Sequence, residues 1–245
     1  MTLPLIDVFH EPYEAWSQRE ATFDEIQELM SESGKLRTKV NDKLKAHIKT
    51  AFDAAQYIAN NGADNSLEAH IDSFLNSSDN FKKFRAAMPS RTPNVLFDYQ
   101  QRYPNYCKND LDSEINRIGQ TLSDGQYLFH GGTWTDHSIG KKRSQLPLST
   151  SFSPQVALKN AEWKGKAYDA GQINLFVLRA VEPKTNVFCF PIKGTKMGNE
   201  KEVLFASGAT LNLRNITLVR DDFEVAQCDQ PNKEVPIYVL EVDVS

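Results

Sequence analysis

The sequence predicts an α+β protein with a helical N-terminal half and a sheet-rich C-terminal half. Apolar residues recur at helical spacing from about residue 14 to about residue 122. From residue 126 onwards, short runs of β-branched and aromatic residues follow one another with few helical segments between them. This second pattern favours an antiparallel-rich pair of small sheets over a doubly wound parallel fold. We therefore expect a helical region over residues 1–122 and a sheet domain over residues 123–245.

Capping signals and apolar periodicity predict the helices of the first half. Thr22 and Glu25 form a capping-box pair ahead of an apolar stripe. Apolar residues within 44–59 follow helical spacing and predict one helix that ends at an Asn-Asn-Gly run. Asn65 with Glu68 predicts the cap of the next helix, and shorter helical segments follow.

The second half contains short strand-like runs bounded by turn residues. A helix opened by Ser153 and Pro154 interrupts them, because serine is a good N-cap and proline fits the first turn. The predicted strands cover residues 126–130, 146–152, 173–181, 187–190, 203–205, 211–219 and 236–244.

The composition is typical of a globular protein and excludes several functional classes. The chain has 245 residues, of which 40% are hydrophobic and 24% charged, and its formal net charge is −4. This charge argues against nucleic-acid binding by bulk electrostatics. No apolar run is long enough to span a bilayer. The N-terminus lacks a basic segment followed by an apolar run, so we expect neither a signal peptide nor a membrane partner.

The cysteines indicate a reducing compartment. Cys107, Cys189 and Cys228 are an odd number and lie far apart, which fits neither a disulfide framework nor a metal-binding pair. No histidines, cysteines and acids cluster at ligand spacing, so we expect no metal. The cytoplasm is the expected site of action. A protein delivered there by a dedicated secretion system would have the same composition.

The stretch from Asn199 to Phe205 carries the strongest chemical signal. Glu200 and Glu202 lie two residues apart, and an apolar run follows at once. If a strand begins at Glu200, alternation places both carboxylates on one face and Lys201 on the other. Glycines predict a flexible loop over residues 194–198. Two acids beside such a loop can stabilise a cation and manage a proton, although a solvated strand edge would have the same pattern.

Two further motifs precede this stretch. The run Tyr127–Gly132 is a predicted strand that ends in His130 and two glycines, which let a ligand approach the backbone closely. Ser149-Thr150-Ser151 offers alternating hydroxyls that can hold a polar ligand or orient a carboxylate. Each motif has a structural alternative, since His130 can simply end a strand and Ser149 can be a hydrogen-bonded core hydroxyl.

In this order the three motifs resemble those of the mono-ADP-ribosyltransferases, which split NAD at the nicotinamide–ribose bond and transfer ADP-ribose to a target. Ser149-Thr150-Ser151 and Glu200-Lys201-Glu202 are similar to the arginine-specific toxin branch. His130-Gly131 replaces the Arg-Gly of that branch and is similar to the diphtheria-toxin and poly-ADP-ribose-polymerase branch. The resemblance covers about residues 125–245. It implies an ADP-ribosyltransferase-like antiparallel β-sandwich of two small sheets, with NAD as substrate.

The resemblance also implies a role for each motif residue. Glu202 would stabilise the oxocarbenium-like cation, Ser149 would brace Glu202, and Glu200 would address the acceptor. Outside the resemblance, we expect a helix over residues 110–122 to form the wall behind NAD, because it directly precedes the first motif strand, and the helical half to help to recognise the target. The residues expected to bind NAD are His130, Gly131, Gly132, Thr150, Ser151 and Phe152.

Two acceptors fit this resemblance. Arginine comes first, because a Glu at position 200 can bind a guanidinium by two parallel hydrogen bonds. Because the strand-end arginine of the arginine-specific branch is missing, a threonine or serine hydroxyl is the alternative acceptor, as in a bacterial effector that modifies ubiquitin. We expect a monomeric toxin or virulence effector that modifies a host protein, with no nucleic-acid partner.

The missing arginine also leaves the NAD phosphates without an obvious partner. Lys141, Lys142 and Arg143 are candidates in a predicted loop, although such a run is also typical of a solvated turn. Trp134 and Trp163, like Phe152, can stack on a base of NAD or pack in the core.

Three other functions remain open from the sequence. An NAD glycohydrolase would use the same pocket with water as the acceptor. A catalytically inactive NAD-fold module would keep the fold for partner binding. A helical scaffold protein with an incidental sheet domain would make the motifs a coincidence.

Overall fold

The computed structural model describes residues 2–134, 138–192 and 197–245. Helices and strands both contribute substantially, which confirms the α+β class. The flexible loop predicted over residues 194–198 lies largely outside the described residues.

A two-stranded antiparallel hairpin occupies much of the first 50 residues. Strand β1 (Tyr13–Glu20) pairs with β2 (Lys39–Ile48), and helix α1 (Phe23–Ser33) lies between them in the chain. The prediction of helix for the two strands is therefore wrong. Leu44 and Ile48 lie four residues apart, a spacing that fits the helical and the strand period alike. Pairing with β1 decides between the two periods.

Five more helices complete the N-terminal region. The capping box of Thr22 and Glu25 is confirmed at α1. The cap predicted at Asn65 is wrong, because the carboxylate of Asp64 accepts two backbone N–H bonds at that helix start. Glu68 instead binds Lys201 and accepts a hydrogen bond from Ser153. The helices are α2 (Ala51–Asn61), α3 (Asn65–Ser77), α4 (Asp79–Ala86), α5 (Asn94–Arg102) and α6 (Lys108–Ile118).

The remaining strands form one sheet in the order β3-β8-β9-β6-β4-β7-β11-β10-β5. Neighbouring strands are antiparallel except β7 and β11, which are parallel. Helices α7 (Pro154–Glu162) and α8 (Lys166–Ala170) lie between β6 and β7 in the chain. The strands are β3 (Gln120–Thr121), β4 (Tyr127–Gly132), β5 (Gly140–Arg143), β6 (Leu148–Ser151), β7 (Ile173–Ala180), β8 (Asn186–Cys189), β9 (Glu202–Phe205), β10 (Thr210–Val225) and β11 (Lys233–Val244).

This sheet consists of two groups of strands joined at one residue pair. Within the described residues, β4 and β6 pair only at Phe129 and Ser151. Strands β3, β8, β9 and β6 lie on one side of this junction, and β4, β7, β11, β10 and β5 lie on the other. The two small sheets that were predicted correspond to these groups. The candidate motifs all lie near the junction, because they belong to β4, β6 and the start of β9.

A single apolar core extends through both halves of the chain. Buried residues of helices α2 to α6 belong to the same cluster as buried residues of the sheet. Helix α7 packs on β4 and β7. The helical region therefore stabilises the sheet by direct packing, and the boundary at residue 122 stays a prediction.

The packing of α7 on β4 requires a glycine. A Cβ at Gly131 would lie 1.8 Å from the carbonyl oxygen of Ala157 and 2.7 Å from the backbone nitrogen of Ala161. These are backbone atoms of a helix, so they cannot move without shifting α7.

We expect Gly131→Ala to lower the free energy of unfolding by about 3 kcal/mol, because overpacking against a backbone forces the helix away. Gly34→Ala is the control: its φ of 65° and ψ of 10° lie in the left-handed region and its surroundings are open, so only the backbone cost of about 1 kcal/mol applies. Urea titration followed by circular dichroism measures both variants. If both variants lose the same free energy of unfolding, the close packing of α7 on Gly131 is not what makes the glycine necessary.

Candidate active site

Three strands bring the predicted motifs together. His130 lies on β4, Ser149 lies on β6, and Glu202 opens β9. The His130 Nδ1 atom is 2.7 Å from the carbonyl oxygen of Ser149. The hydroxyl of Ser149 donates to Glu202 Oε1 at 2.7 Å. One serine therefore links the histidine to the carboxylate.

Glu202 is a buried carboxylate with hydrogen bonds to both oxygens. The residue is 5% exposed. Oε1 accepts from Ser149, and Oε2 accepts from Gln100 Nε2 at 3.1 Å. Burial raises the pKa of Glu202, whereas these two hydrogen bonds lower it. Both donors stabilise the charged form and fix its orientation.

The contact with Glu202 from the helical region comes from α5, through Gln100. The segment that was expected to form the wall, residues 110–122, includes most of α6. That helix packs on β8, and Asp112 on it accepts a hydrogen bond from the backbone of Ser207 at 2.7 Å. No motif marked Gln100, because a single glutamine on an amphipathic helix carries no local signal.

Glu200 lies before the strand, not in it. It ends a 3₁₀ turn over Gly198–Glu200, and Lys201 then has φ 50° and ψ 41°. The condition for placing both acids on one face, a strand that begins at Glu200, is not met, because the left-handed residue Lys201 separates the turn from β9. Burial and the nearby charge of Glu202 raise the pKa of Glu200 to about 7. The two acids therefore interact through a turn rather than through strand alternation.

His130 is neutral and has one defined tautomer. Because a carbonyl oxygen can only accept, Nδ1–H of His130 donates to Ser149, which leaves Nε2 as an acceptor. Burial, and to a smaller extent the ammonium of Lys166, lower the pKa of His130 to about 4, although the hydrogen bond to Ser149 raises it. A Cβ at position 132 would lie 2.4 Å from Nε2, so Gly132 leaves room for this ring orientation.

Thr150 and Ser151 support the backbone that carries the acids. The hydroxyl of Thr150 donates to the carbonyl oxygen of Val203 at 2.5 Å, and that of Ser151 donates to the carbonyl oxygen of Glu200 at 2.6 Å. Direct contacts of these residues with NAD stay predictions.

The Phe152 ring lies in the core, where its centroid is 5.9 Å from that of Phe81 and 6.1 Å from that of Phe84. Its burial favours the core-packing alternative for this side chain. Trp134 is also buried and lies near Phe176, with ring centroids 6.2 Å apart.

An aromatic wall that the sequence did not predict borders Glu202. Tyr99 is buried, and both burial and the charge of Glu202 raise its pKa. Its ring packs against Tyr103 and Tyr106, and the ring of Tyr103 lies 5.5 Å from that of Trp163. Tyr103 and Trp163 remain exposed. The wall therefore extends from the buried carboxylate to the surface.

Two lysines lie over the outer end of this wall. Lys164 Nζ is 4.5 Å and Lys166 Nζ is 5.1 Å from the ring centroid of Trp163. Partial burial lowers the pKa of Lys166, and its ammonium is close enough to act on His130. A cation is thus present beside His130, although the chain has no arginine at that strand end.

The lysines and arginine predicted to bind phosphate lie on a strand, not in a loop. Lys141, Lys142 and Arg143 belong to β5 at the outer edge of the sheet. Lys142 Nζ lies 4.2 Å from the ring centroid of Trp134, and Arg143 Nε donates to the carbonyl oxygen of Gly208 at 3.1 Å.

Two other kinds of site are not found in the part of the chain that the structure describes. No group of three or more histidines, cysteines and acids there could hold a metal ion. None of the described helices combines the length and the apolar character needed to cross a bilayer.

The sequence matches no protein-family profile and no curated protein. Similar solved structures include the ADP-ribosyltransferase Vis in complex with agmatine (14% identity, 76% of this chain and 87% of that chain, TM-score 0.40); Vis is a toxin from Vibrio splendidus. The match to the C3larvin toxin from Paenibacillus larvae covers 69% of this chain and 96% of the toxin chain, at 11% identity and a TM-score of 0.38. The C2-I component of the Clostridium botulinum C2-toxin gives 12% identity, 69% coverage of this chain and a TM-score of 0.39. The match covers 48% of the C2-I chain, so this chain spans about half the length of C2-I. Scores of this size carry no conclusion about function, which rests on the residues of this chain.

Glu200 should make stability depend on pH. Its pKa is about 7 in the folded protein against an ordinary value of 4.5, so the folded state binds the proton more tightly. The resulting stabilisation is complete below pH 4.5 and is lost as the pH rises through about 7. At pH 8 we expect Glu200→Gln to raise the melting temperature by about 2–4 °C, on the order of 1 kcal/mol for a partly exposed group.

The comparison at pH 4 should show little difference between Glu200→Gln and the wild type. Glu28→Gln is the control, because Glu28 is an exposed carboxylate on α1. Thermal unfolding at both pH values measures the effect. A difference between wild type and Glu200→Gln that does not change with pH would contradict a raised pKa at Glu200.

Proposed function

We propose that this protein is a mono-ADP-ribosyltransferase that cleaves NAD at the nicotinamide–ribose bond and transfers ADP-ribose to a protein side chain. The observation that carries the proposal is the buried Glu202 carboxylate, held by Ser149 and Gln100 beside a neutral His130. Glu202, Ser149 and His130 belong to the three motifs that resemble this enzyme family, and they lie at one junction of the fold.

The proposed step needs a fixed negative charge beside a sugar. As the bond to nicotinamide breaks, the bonding electrons leave with nicotinamide and positive charge develops on the ribose ring. Each oxygen of Glu202 has one hydrogen bond from the protein and can accept another, for example from a ribose hydroxyl. A preorganised group of this kind contributes about 3 kcal/mol to lowering the barrier.

His130 and the backbone after it would hold the nicotinamide riboside. The Nε2 lone pair of His130 can accept a hydrogen bond from a ribose hydroxyl, since Nδ1–H is already bound to Ser149. Beyond Phe129, the described part of β4 has no further residue pair with β6. The two strands separate there, which favours binding of the carboxamide of nicotinamide by the backbone at Gly131.

Lys166 is the proposed partner of the NAD phosphates. Its ammonium lies over Trp163 and near His130, whereas Lys141 to Arg143 lie on an edge strand. The exposed faces of Trp163 and Tyr103 are suited to stacking on a base. NAD would then extend from Glu202 along the aromatic wall to the surface.

Glu200 is proposed to address the acceptor. A charged Glu200 can bind the guanidinium of an arginine, which is the first acceptor considered. A pKa of about 7 also suits a general base for a threonine or serine hydroxyl, as on ubiquitin. The target would be a host protein in the cytoplasm, and the protein a delivered effector that acts as a monomer.

Removal of the Glu202 charge should abolish NAD cleavage. We expect Glu202→Gln to lower the rate of nicotinamide release by about 10²–10³-fold, because the developing cation loses its counter-charge. Glu200→Gln should retain NAD cleavage but lose transfer. Release of nicotinamide is measured by chromatography, and transfer by mass spectrometry of proteins from cells that express each variant.

Several outcomes of this experiment distinguish the alternatives. Glu28→Gln is the control and should behave as wild type. Full turnover by Glu202→Gln would contradict the proposal. Fast release of nicotinamide by the wild type with no modified protein would favour an NAD glycohydrolase, and NAD binding without turnover would favour an inactive module. The modified residue identifies the acceptor.

Lys166→Ala should weaken NAD binding. We expect its KM for NAD to rise about tenfold with a smaller change in kcat, since a charge-assisted hydrogen bond contributes about 1.5–3 kcal/mol. Lys142→Ala is a matched control, because Lys142 also lies over a tryptophan ring but on the edge strand β5. If the KM for NAD rises in Lys142→Ala and not in Lys166→Ala, the NAD phosphates bind at β5 and the proposed role of Lys166 is wrong.

A further inference from the structure

The residue between the two proposed catalytic acids has a backbone conformation that side chains rarely adopt. Lys201 lies in the left-handed region, with φ 50° and ψ 41°. Non-glycine residues persist there only where the surrounding structure holds them. The chain turns at this residue, so the placement of Glu200 relative to Glu202 depends on what holds Lys201.

The Lys201 side chain is buried against α3. Its exposed fraction is 1%. The ammonium binds the carboxylate of Glu68, pairs with Asp72 Oδ1 at 3.0 Å and donates to the carbonyl oxygen of Asn199 at 3.0 Å. Its three N–H groups thus have three acceptors. Glu68 and Asp72 are four residues apart and therefore lie on the same face of α3.

The same ion pair closes a ring of hydrogen bonds around the turn. The second oxygen of Glu68 accepts from the hydroxyl of Ser153 at 2.5 Å. The backbone N–H of Ser153 donates to the hydroxyl oxygen of Ser151 at 2.9 Å, and Ser151 donates to the carbonyl oxygen of Glu200 at 2.6 Å. The ring returns to Lys201 through the peptide bond that follows Glu200.

We infer that Glu68, Asp72 and Lys201 form a positioning clamp that holds Glu202 in the orientation needed for NAD cleavage and Glu200 in the orientation needed for transfer. The inference rests on the proposed function. The Lys201 ammonium is bound to α3, so the clamp acts through the placement of the acids and not through contact with substrate. It also gives the helical region a specific task, because α3 supplies both carboxylates.

Burial of the Lys201 ammonium makes the clamp costly to break. Removing one partner of a buried ion pair leaves the other charge without compensation, which is strongly unfavourable. The ring therefore opens only together with a shift of α3 or of the turn. Without the lysine side chain, the left-handed turn would have no anchor on the helix, and the acids would sample other orientations.

The test combines turnover with local hydrogen exchange. Lys201→Met and Glu68→Gln are expected to lower kcat for NAD cleavage about tenfold to hundredfold, the effect of a small misplacement of reacting groups, with little change in KM. Both should increase amide exchange in residues 200–205. The double variant should lose no more than Lys201→Met alone, because the two residues act as one unit.

Two control variants separate placement from general stability. Lys82→Met removes a lysine from an exposed pair with Asp79 on α4, and Leu67→Ala removes a buried side chain from α3 itself. Normal kcat in Lys201→Met and Glu68→Gln, or a loss of kcat that matches Leu67→Ala at equal loss of stability, would overturn the clamp.

If Lys201→Met fails to fold, Glu68→Gln decides alone. If the wild type releases no nicotinamide, the proposed function fails, while unchanged exchange in residues 200–205 would refute the clamp separately.

Discussion

The structure around the junction of β4, β6 and β9 depends on one constraint, which is the burial of the Glu202 carboxylate. A buried carboxylate keeps its charge only if donors replace the lost water. Ser149 on β6 and Gln100 on α5 supply them. Because α5 belongs to the helical region, the charge of Glu202 requires that region to pack on the sheet. The shared core that extends through both halves provides this packing.

The histidine at the end of β4 changes the electrostatics of the junction. An arginine there would carry a permanent charge and would lower the pKa of neighbouring acids. His130 is neutral and adds no such charge, and burial raises the pKa values of both Glu200 and Glu202. Two acids that are costly to ionise favour a cation close to them, because a nearby positive charge stabilises their charged forms. An oxocarbenium-like ribose and a guanidinium both meet this requirement.

The sequence predicted the features that depend on local order in the chain. The strands of the three motifs, the helix after Ser153 and the capping box at Thr22 all follow from patterns over a few residues. The hairpin strands were mistaken for helix, because Leu44 and Ile48 fit both periods. Gln100 and Lys166 were missed because their positions depend on the packing of distant elements, which no local pattern records.

Lys201 shows where a pattern of residues and a backbone conformation diverge. The Glu-x-Glu spacing predicted a strand, and the two acids do interact, but a left-handed turn brings them together. Glycine would adopt this conformation without the cost of about 1 kcal/mol that a side chain adds. It would not, however, supply an ammonium for Glu68 and Asp72. Lys201 therefore costs some backbone strain, but its side chain fixes the turn to α3. A glycine would allow the same turn without fixing its position.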